Sequence, residues 1–366
     1  SELDWIAKPP RQGEPRNPPT YERDLIAGGG LILGKGAFGV TRLAQSSLTG
    51  EYYAVKVLTK AQIFEKKTIV IVQGEVNVLA RMQHPFIVHL FAAYQDEFRV
   101  VLVMEYAVGG ELLHRIRQRP RLPDGEAKFY AAEIADALQY MHDEVGVIYH
   151  DLKPENIMVG GDGHIRVIDF GLALAADARQ YDETRIGTSM YMAPELANHR
   201  VQGAHAPAVD WWSFGCVVYE MVSGTLPFGD SAELTKYELY TNITSKKLRF
   251  GKGFTARSRH MVTGLLDKNP GTRLGWEGVK AHRWFKNVDW LALREQRIRP
   301  PWVPTRMKPG DTGCFLVWKM EPEVSEKEYP SDQIQEYSRI KMPAGCTLRP
   351  PQPQKSERPA ADVQRE

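Results

Sequence analysis

The 366-residue chain predicts an α+β fold of two lobes, a small antiparallel β lobe followed by a larger helical lobe, with a cleft between them. Three observations carry this expectation. β-Branched and aromatic runs crowd the segment before residue 106. From about residue 111 onward, apolar side chains recur at helical spacing. Gly109-Gly110 stands where one pattern gives way to the other.

The elements follow in order. Residues 7–20 hold five prolines with Gly and Asn and read as an extended arm within 1–24. Leu31-Ile32-Leu33 begins a strand that enters a glycine loop, and Val40-Thr41-Arg42-Leu43-Ala44 leaves it. Leu48-Thr49-Gly50 is a turn by composition, and Tyr52 to Leu58 is the next strand. Val72, Val76, Leu79 and Met82 mark one face of a helix over 68–82, stopped by His84-Pro85. Strands are expected at 87–94 and 99–105. Phe129, Ile134, Leu138 and Met141 line a long helix over 126–144, and Trp211, Trp212, Phe214 and Val218 another over 209–224. Residues 321–366 mix Pro, Glu, Lys, Gln and Ser, a composition of largely disordered tails.

Composition narrows the function classes. The chain is 43% hydrophobic and 25% charged, which suits a globular protein. Lys+Arg (47) and Asp+Glu (45) nearly cancel and form no long single-sign block, so no nucleic-acid partner is expected. The apolar stretches fall short of a membrane span, no transmembrane segment is expected, and no cleavable apolar leader opens the chain. Cys216, Cys314 and Cys346 form neither a metal cluster nor a disulfide framework. A reducing, intracellular setting fits them, with the cytoplasm as the expected compartment and nuclear entry left open.

Two motifs point to phosphate. Gly34-Lys35-Gly36-Ala37-Phe38-Gly39-Val40 lets backbone amides approach phosphate oxygens, and a strand rather than a helix follows it, which argues against a dinucleotide fold. Lys56 lies in the apolar strand Ala54-Val55-Lys56, where an unpaired ammonium is costly. Glu75, nineteen residues on, is its expected partner.

The run Tyr149-His150-Asp151-Leu152-Lys153-Pro154-Glu155-Asn156 precedes Asp169-Phe170-Gly171 by a short interval, and Ala193-Pro194-Glu195 follows. Together with Met104-Glu105-Tyr106, Asp210-Trp211-Trp212 and Asn269-Pro270-Gly271-Thr272-Arg273-Leu274-Gly275, this set resembles a eukaryotic protein kinase over about residues 25–286. It is most similar to the serine/threonine kinases of the AGC group, near the cyclic-nucleotide-dependent ones. The resemblance implies a bilobal kinase fold, with the small lobe at about 25–105, the large lobe at about 110–286, and an AGC-like tail over 287–366. It implies ATP and Mg²⁺, a protein or peptide substrate, and leaves room for a separate regulatory subunit.

The same resemblance assigns roles. Asp151 accepts the hydroxyl proton, Lys153 neutralises the transferred phosphoryl, and Asn156 and Asp169 hold Mg²⁺. Gly34, Gly36, Gly39, Lys56 and Glu75 serve the phosphates. Val40, Ala54 and Met158 sandwich the adenine, Met104 is the gatekeeper, and Glu105 and Ala107 supply hinge backbone. Leu79, Leu90, Tyr149 and Phe170 form a packed spine, and Glu195 pairs with Arg273. Glu111, Glu155 and Glu220 match positions that read basic residues before the acceptor, and Thr188 lines the substrate floor. Phe315 reaches the nucleotide region from the tail.

Departures from the pattern fall in regulation. His150 stands where the family has an Arg that grips a phosphate on Thr184, and a histidine lacks the permanent planar fork of a guanidinium. Ser189-Met190 replaces the Pro-Glu of close relatives, and the tail pattern fades after Phe315. A conformational scaffold without phosphoryl transfer is the competing class. It loses ground because neither departure removes a catalytic group. A small-molecule kinase is disfavoured by the peptide-platform signature from Gly187 to Glu195.

Overall fold

The computed structural model describes residues 25–36, 39–65, 68–95, 99–176, 187–197, 207–229 and 232–304. The expectations for the arm at 1–24, Phe38, Thr184, Phe315 and the tail beyond 304 lie outside these residues.

Five strands build an antiparallel sheet: β1 (Leu25–Gly36), β2 (Gly39–Ser46), β3 (Tyr52–Thr59), β4 (Leu90–Gln95) and β5 (Arg99–Glu105), in the order β1-β2-β3-β5-β4. Strand β3 alternates, as a period of two demands. Tyr53 and Val55 pack on one face with Ala44, Ala92, Val101 and Val103. Ala54, Lys56 and Leu58 take the other, where the cleft and the helices lie. A short helix without a periodic signal, α1 (Lys60–Glu65), leads to α2 (Ile69–Arg81), which buries Val72, Val76 and Leu79. β4 starts at Leu90 rather than 87 because the preceding residues bond elsewhere. Val88 N–H donates to Val167 O, and Ile87 bridges to Val167, so this stretch ties the sheet to the large lobe.

The large lobe opens with α3 (Leu112–Arg117) and α4 (Asp124–Gln139). The expected single helix over 126–144 instead widens into a π-turn at Tyr140–Val145, which keeps Met141 and Val145 buried and ends at Gly146 with φ 71°. Three small strands follow, β6 (Val147–Ile148), β7 (Ile157–Val159) and β8 (Ile165–Val167), then β9 (Leu174–Ala175), which pairs with β6. After α5 (Pro194–Ala197), helix α6 (Ala208–Ser223) runs through the core with nearly every side chain buried. Its C-terminus turns on Gly224 at φ 78°, where a Cβ would sit 1.9 Å from Pro120 O, so only glycine fits. Helices α7 (Lys236–Ser245) and α8 (Ala256–Leu265) each start with a Thr capping box. Helices α9 (Trp276–Lys280) and α10 (Trp290–Arg294) complete the lobe.

The chain then returns toward the hinge. Trp302 lies under the Arg115 guanidinium at 4.6 Å, and Pro304 Cγ approaches Gly109 so closely that a Cβ there would meet it at 2.9 Å. The sheet, α2 and the large lobe share one continuous apolar core, so the cleft has walls that are packed against each other.

Candidate active site

The cleft is framed by the glycine turn and β3 above and by the loop after β6 below. Gly39 pairs with Leu58, and a Cβ there would lie 1.9 Å from Val57 O. Its glycine is therefore demanded by the β2–β3 pairing. Gly34 and Gly36 have open space where a Cβ would stand, apart from Gly39 O at 3.7 Å. Val40 and Ala54 are half-buried at the cleft roof, and Met158 is buried in its floor. Met104 and Glu105 end β5, followed by buried Ala107.

Lys56 Nζ contacts Glu75 Oε1 at 2.6 Å and lies 3.7 Å from Asp169 Oδ1. Burial works to lower the Lys56 amine, and the two carboxylates more than offset it, so it is held above its ordinary value. Burial drives Glu75 up while Lys56 draws it back, and at this separation the two form an ion pair. The spine residues pack as implied: Leu79, Leu90, Tyr149 and Phe170 are all buried, and the Tyr149 and Phe170 rings meet edge-on at 5.2 Å.

Asp151 sits in a frame of four donors. Its Oδ1 accepts from Thr188 N at 3.1 Å and Thr188 Oγ1 at 2.8 Å. Its Oδ2 accepts from Lys153 Nζ at 2.7 Å and Asn156 Nδ2 at 2.9 Å. Lys153 also donates to Thr188 Oγ1 at 2.8 Å. These contacts leave the Asn156 side-chain oxygen available as an acceptor. Across the cleft, Asp169 is about half exposed and takes φ 58°, a conformation that non-glycine residues rarely adopt.

The backbone under Asp151 is held by a residue to which sequence reasoning gave no role. Asp210 is fully buried in α6, and its carboxylate accepts from Tyr149 N, His150 N and His142 Nε2 at 2.7–2.8 Å. Burial works to raise this carboxyl, and its donors hold it below the usual range. The sequence signal is Asp210 itself, a charged residue at the head of a mostly apolar helix. His150 is buried at φ 66°, and its Nδ1 donates to Ile148 O at 3.1 Å, with the Leu172 backbone as a further partner. Burial pushes its imidazole below the ordinary value despite the Asp210 charge.

The three glutamates converge below the loop. Glu111 bridges through backbone to Met158, which lies three residues along the chain from Glu155. Although Glu111 is exposed, desolvation by the surrounding protein and then the like charge of Glu155 push its carboxyl up. Glu220 Oε2 accepts from Tyr191 Oη at 2.6 Å, and the Tyr191 phenol is raised by burial, then by the Glu220 and Glu155 charges. Glu155 Oε2 is buried without a hydrogen-bond partner among the described residues. Arg273 braces the lobe as expected, forked onto Glu195 at 2.7 and 2.8 Å. Arg166 was not singled out in the sequence, yet its Nε donates to Glu105 Oε1 at 2.7 Å and spans from β8 to the hinge end of β5.

Comparison with known proteins agrees with this geometry. The protein kinase domain family matches residues 30–285. The chain is 35% identical over 314 residues to a cAMP-dependent protein kinase catalytic subunit of Dictyostelium discoideum, covering 84% of this chain and 47% of that one. It is 38% identical over 290 residues to a cAMP-dependent protein kinase, catalytic subunit-like, of Caenorhabditis elegans, covering 78% and 71%. It is 37% identical over 303 residues to human ribosomal protein S6 kinase alpha-6, covering 81% and 39%. The chain thus spans about half or less of the length of some relatives and most of the length of others. On the family match, these relatives and the bilobal fold, the chain belongs to the protein kinase family, as an AGC-like serine/threonine protein kinase.

Proposed function

We propose that the chain transfers the γ-phosphoryl group of ATP to serine and threonine hydroxyls of protein substrates that carry basic residues before the acceptor. The observation that carries the transfer chemistry is the four-donor frame around Asp151. It fixes the carboxylate in one orientation, which is what in-line transfer asks of a residue that orients a hydroxyl and accepts its proton. Lys153, held between Asp151 and Thr188, brings positive charge to the same point. Lys56, kept protonated by Glu75, is suited to the α and β phosphates.

Protein kinases use ATP with Mg²⁺. The residues present fit such a metal: Asp169 offers an exposed carboxylate and Asn156 a side-chain oxygen, the oxygen donors that Mg²⁺ takes beside phosphates. Bound there, the ion would neutralise charge on the phosphates. Val40, Ala54 and Met158 offer the adenine an apolar sandwich, and the Glu105–Ala107 backbone offers it hydrogen bonds.

Basic selectivity rests on Glu155. A buried carboxylate oxygen without a partner is costly, and an incoming guanidinium would satisfy it with a charge-assisted bond beside Glu111 and Glu220. The test compares kcat/KM for a serine peptide with Arg two and three residues before the acceptor against its alanine counterpart. The arginines should raise kcat/KM about ten- to hundred-fold. Glu155→Gln should shrink that ratio while sparing the alanine peptide. Equal rates on both peptides would reject the selectivity and leave the transfer reaction standing.

A further inference from the structure

Helix α2 carries Glu75, and its C-terminal end is tied down by three contacts. Arg81 donates to Val145 O, Gln83 N–H donates to Tyr140 Oη at 2.9 Å, and His84 reaches Asp136 of α4. The third contact differs from the others because its acceptor is a buried charge. The Asp136 side chain is 3% exposed. A carboxylate so placed needs a cation.

The cation comes from beyond the lobe's main helices. Arg294, the last residue of α10, forks onto Asp136: Nε to Oδ2 at 3.0 Å and Nη2 to Oδ1 at 2.9 Å. Nη2 also donates to Gln139 Oε1 at 2.9 Å, and Nη1 lies 3.5 Å from Glu144. Burial works to raise the Asp136 carboxyl, and the bonds from His84 and Arg294 keep it below the ordinary range. His84 needs no charge of its own. Its Nδ1 accepts from Phe86 N at 3.3 Å, so the proton sits on Nε2 and is donated to Asp136 Oδ2 at 3.1 Å. The imidazole also stacks on Tyr140 at 4.8 Å.

We infer that Arg294 is a positioning residue for the ATP site, acting through Asp136 and His84 on the end of α2 and so on the Lys56–Glu75 pair. Arg294 lies 158 residues from Asp136 in sequence and touches nothing in the cleft. Its effect reaches the nucleotide because the fork holds both carboxylate oxygens, leaving Asp136 one orientation in which Oδ2 meets His84. With His84 fixed, the loop from Met82 to His89 holds α2 at the depth where Glu75 meets Lys56 at 2.6 Å. Helix α10 keeps its own anchorage when Arg294 changes, since Trp290 packs on Trp276 and Phe285, and Leu293 is buried.

The test separates positioning from mere stability. Arg294→Met leaves a buried unpaired carboxylate, so it should lower Tm and raise KM for ATP about five- to ten-fold, with KM for peptide changed by less than about two-fold. Arg294→Met with Asp136→Leu removes that charge and should recover Tm, yet His84 then has no acceptor and KM for ATP stays raised. Arg294→Lys, which keeps charge and loses the fork, should show the same KM split with little change in Tm. Amide exchange over residues 72–79 should quicken in all three, while α6 stays protected. A KM for ATP that recovers with Tm in the double variant overturns the inference. So does an equal rise in both KM values, or a KM for ATP that Arg294→Lys leaves unchanged.

Discussion

At the scale of single residues, His150 is a buried imidazole in the run that carries Asp151. Its ring is turned into the protein, onto Ile148 O and the Leu172 backbone, and burial depresses its affinity for a proton. Folded His150 therefore binds its proton at lower pH than the unfolded chain does. The stability it contributes is complete above the ordinary imidazole value of about 6.5 and is lost as pH falls below that toward the folded value. His150→Gln should flatten the fall of Tm below about pH 6.5 relative to the native chain. Identical slopes in the two proteins would contradict the neutral, buried ring. A neutral ring held this way offers a phosphate on Thr184 no charged fork, and we propose that the clamp is weak. His150→Arg should then raise the ratio of phosphorylated to unphosphorylated activity, and a ratio left unchanged would speak against it.

At the scale of elements, α2 is weakened by its own sequence. It opens on four β-branched residues, Ile69 to Val72, and carries Gly74 directly before Glu75. Nothing lies within 4 Å of where a Cβ on Gly74 would stand. This glycine is not required by packing, so it only weakens the helix, by about 0.5–1 kcal/mol relative to alanine. Gly74→Ala should slow amide exchange across α2 several-fold and leave the kinase at least as active. Faster exchange, or a fall in KM-corrected turnover, would show that the glycine has a conformational task. The same element shows what was legible in sequence. The period of Val72, Val76 and Leu79 located α2 within one residue at each end, and the apolar density around Trp211 and Trp212 located α6. Helix α1 was missed because six residues span less than two turns, too few for a period to register. The start of β4 was misplaced because Ile87 and Val88 are apolar like a strand but bond across to Val167.

At the scale of the whole molecule, the two lobes are joined by more than the hinge. Arg166 links β8 to Glu105, and Val88 links the loop before β4 to Val167. The returning segment Pro300–Pro304 packs behind Gly109 and Gly163. None of these contacts could be read from local sequence, because the partners lie far apart in the chain and each residue type is ordinary on its own. The catalytic loop was legible for the opposite reason: Asp151, Lys153 and Asn156 fall within one short run, and their chemistry constrains their spacing. Asp210 lies between these cases, visible as an oddity in α6 but understood only once it reaches Tyr149 and His150.

We propose that Asp151, framed by Lys153, Asn156 and Thr188, supports phosphoryl transfer to serine and threonine. The most direct measurement follows transfer of labelled γ-phosphate from Mg-ATP to a serine/threonine peptide library with arginines before the acceptor, in the native chain and in Asp151→Ala. Loss of a positioned base typically costs about 10²–10⁴-fold. Label should appear on phosphoserine and phosphothreonine, with Asp151→Ala slower by that range and its ATP binding retained. Transfer no faster in the native chain than in Asp151→Ala, in both phosphorylated and unphosphorylated preparations, would contradict it and favour a scaffold that signals without transfer.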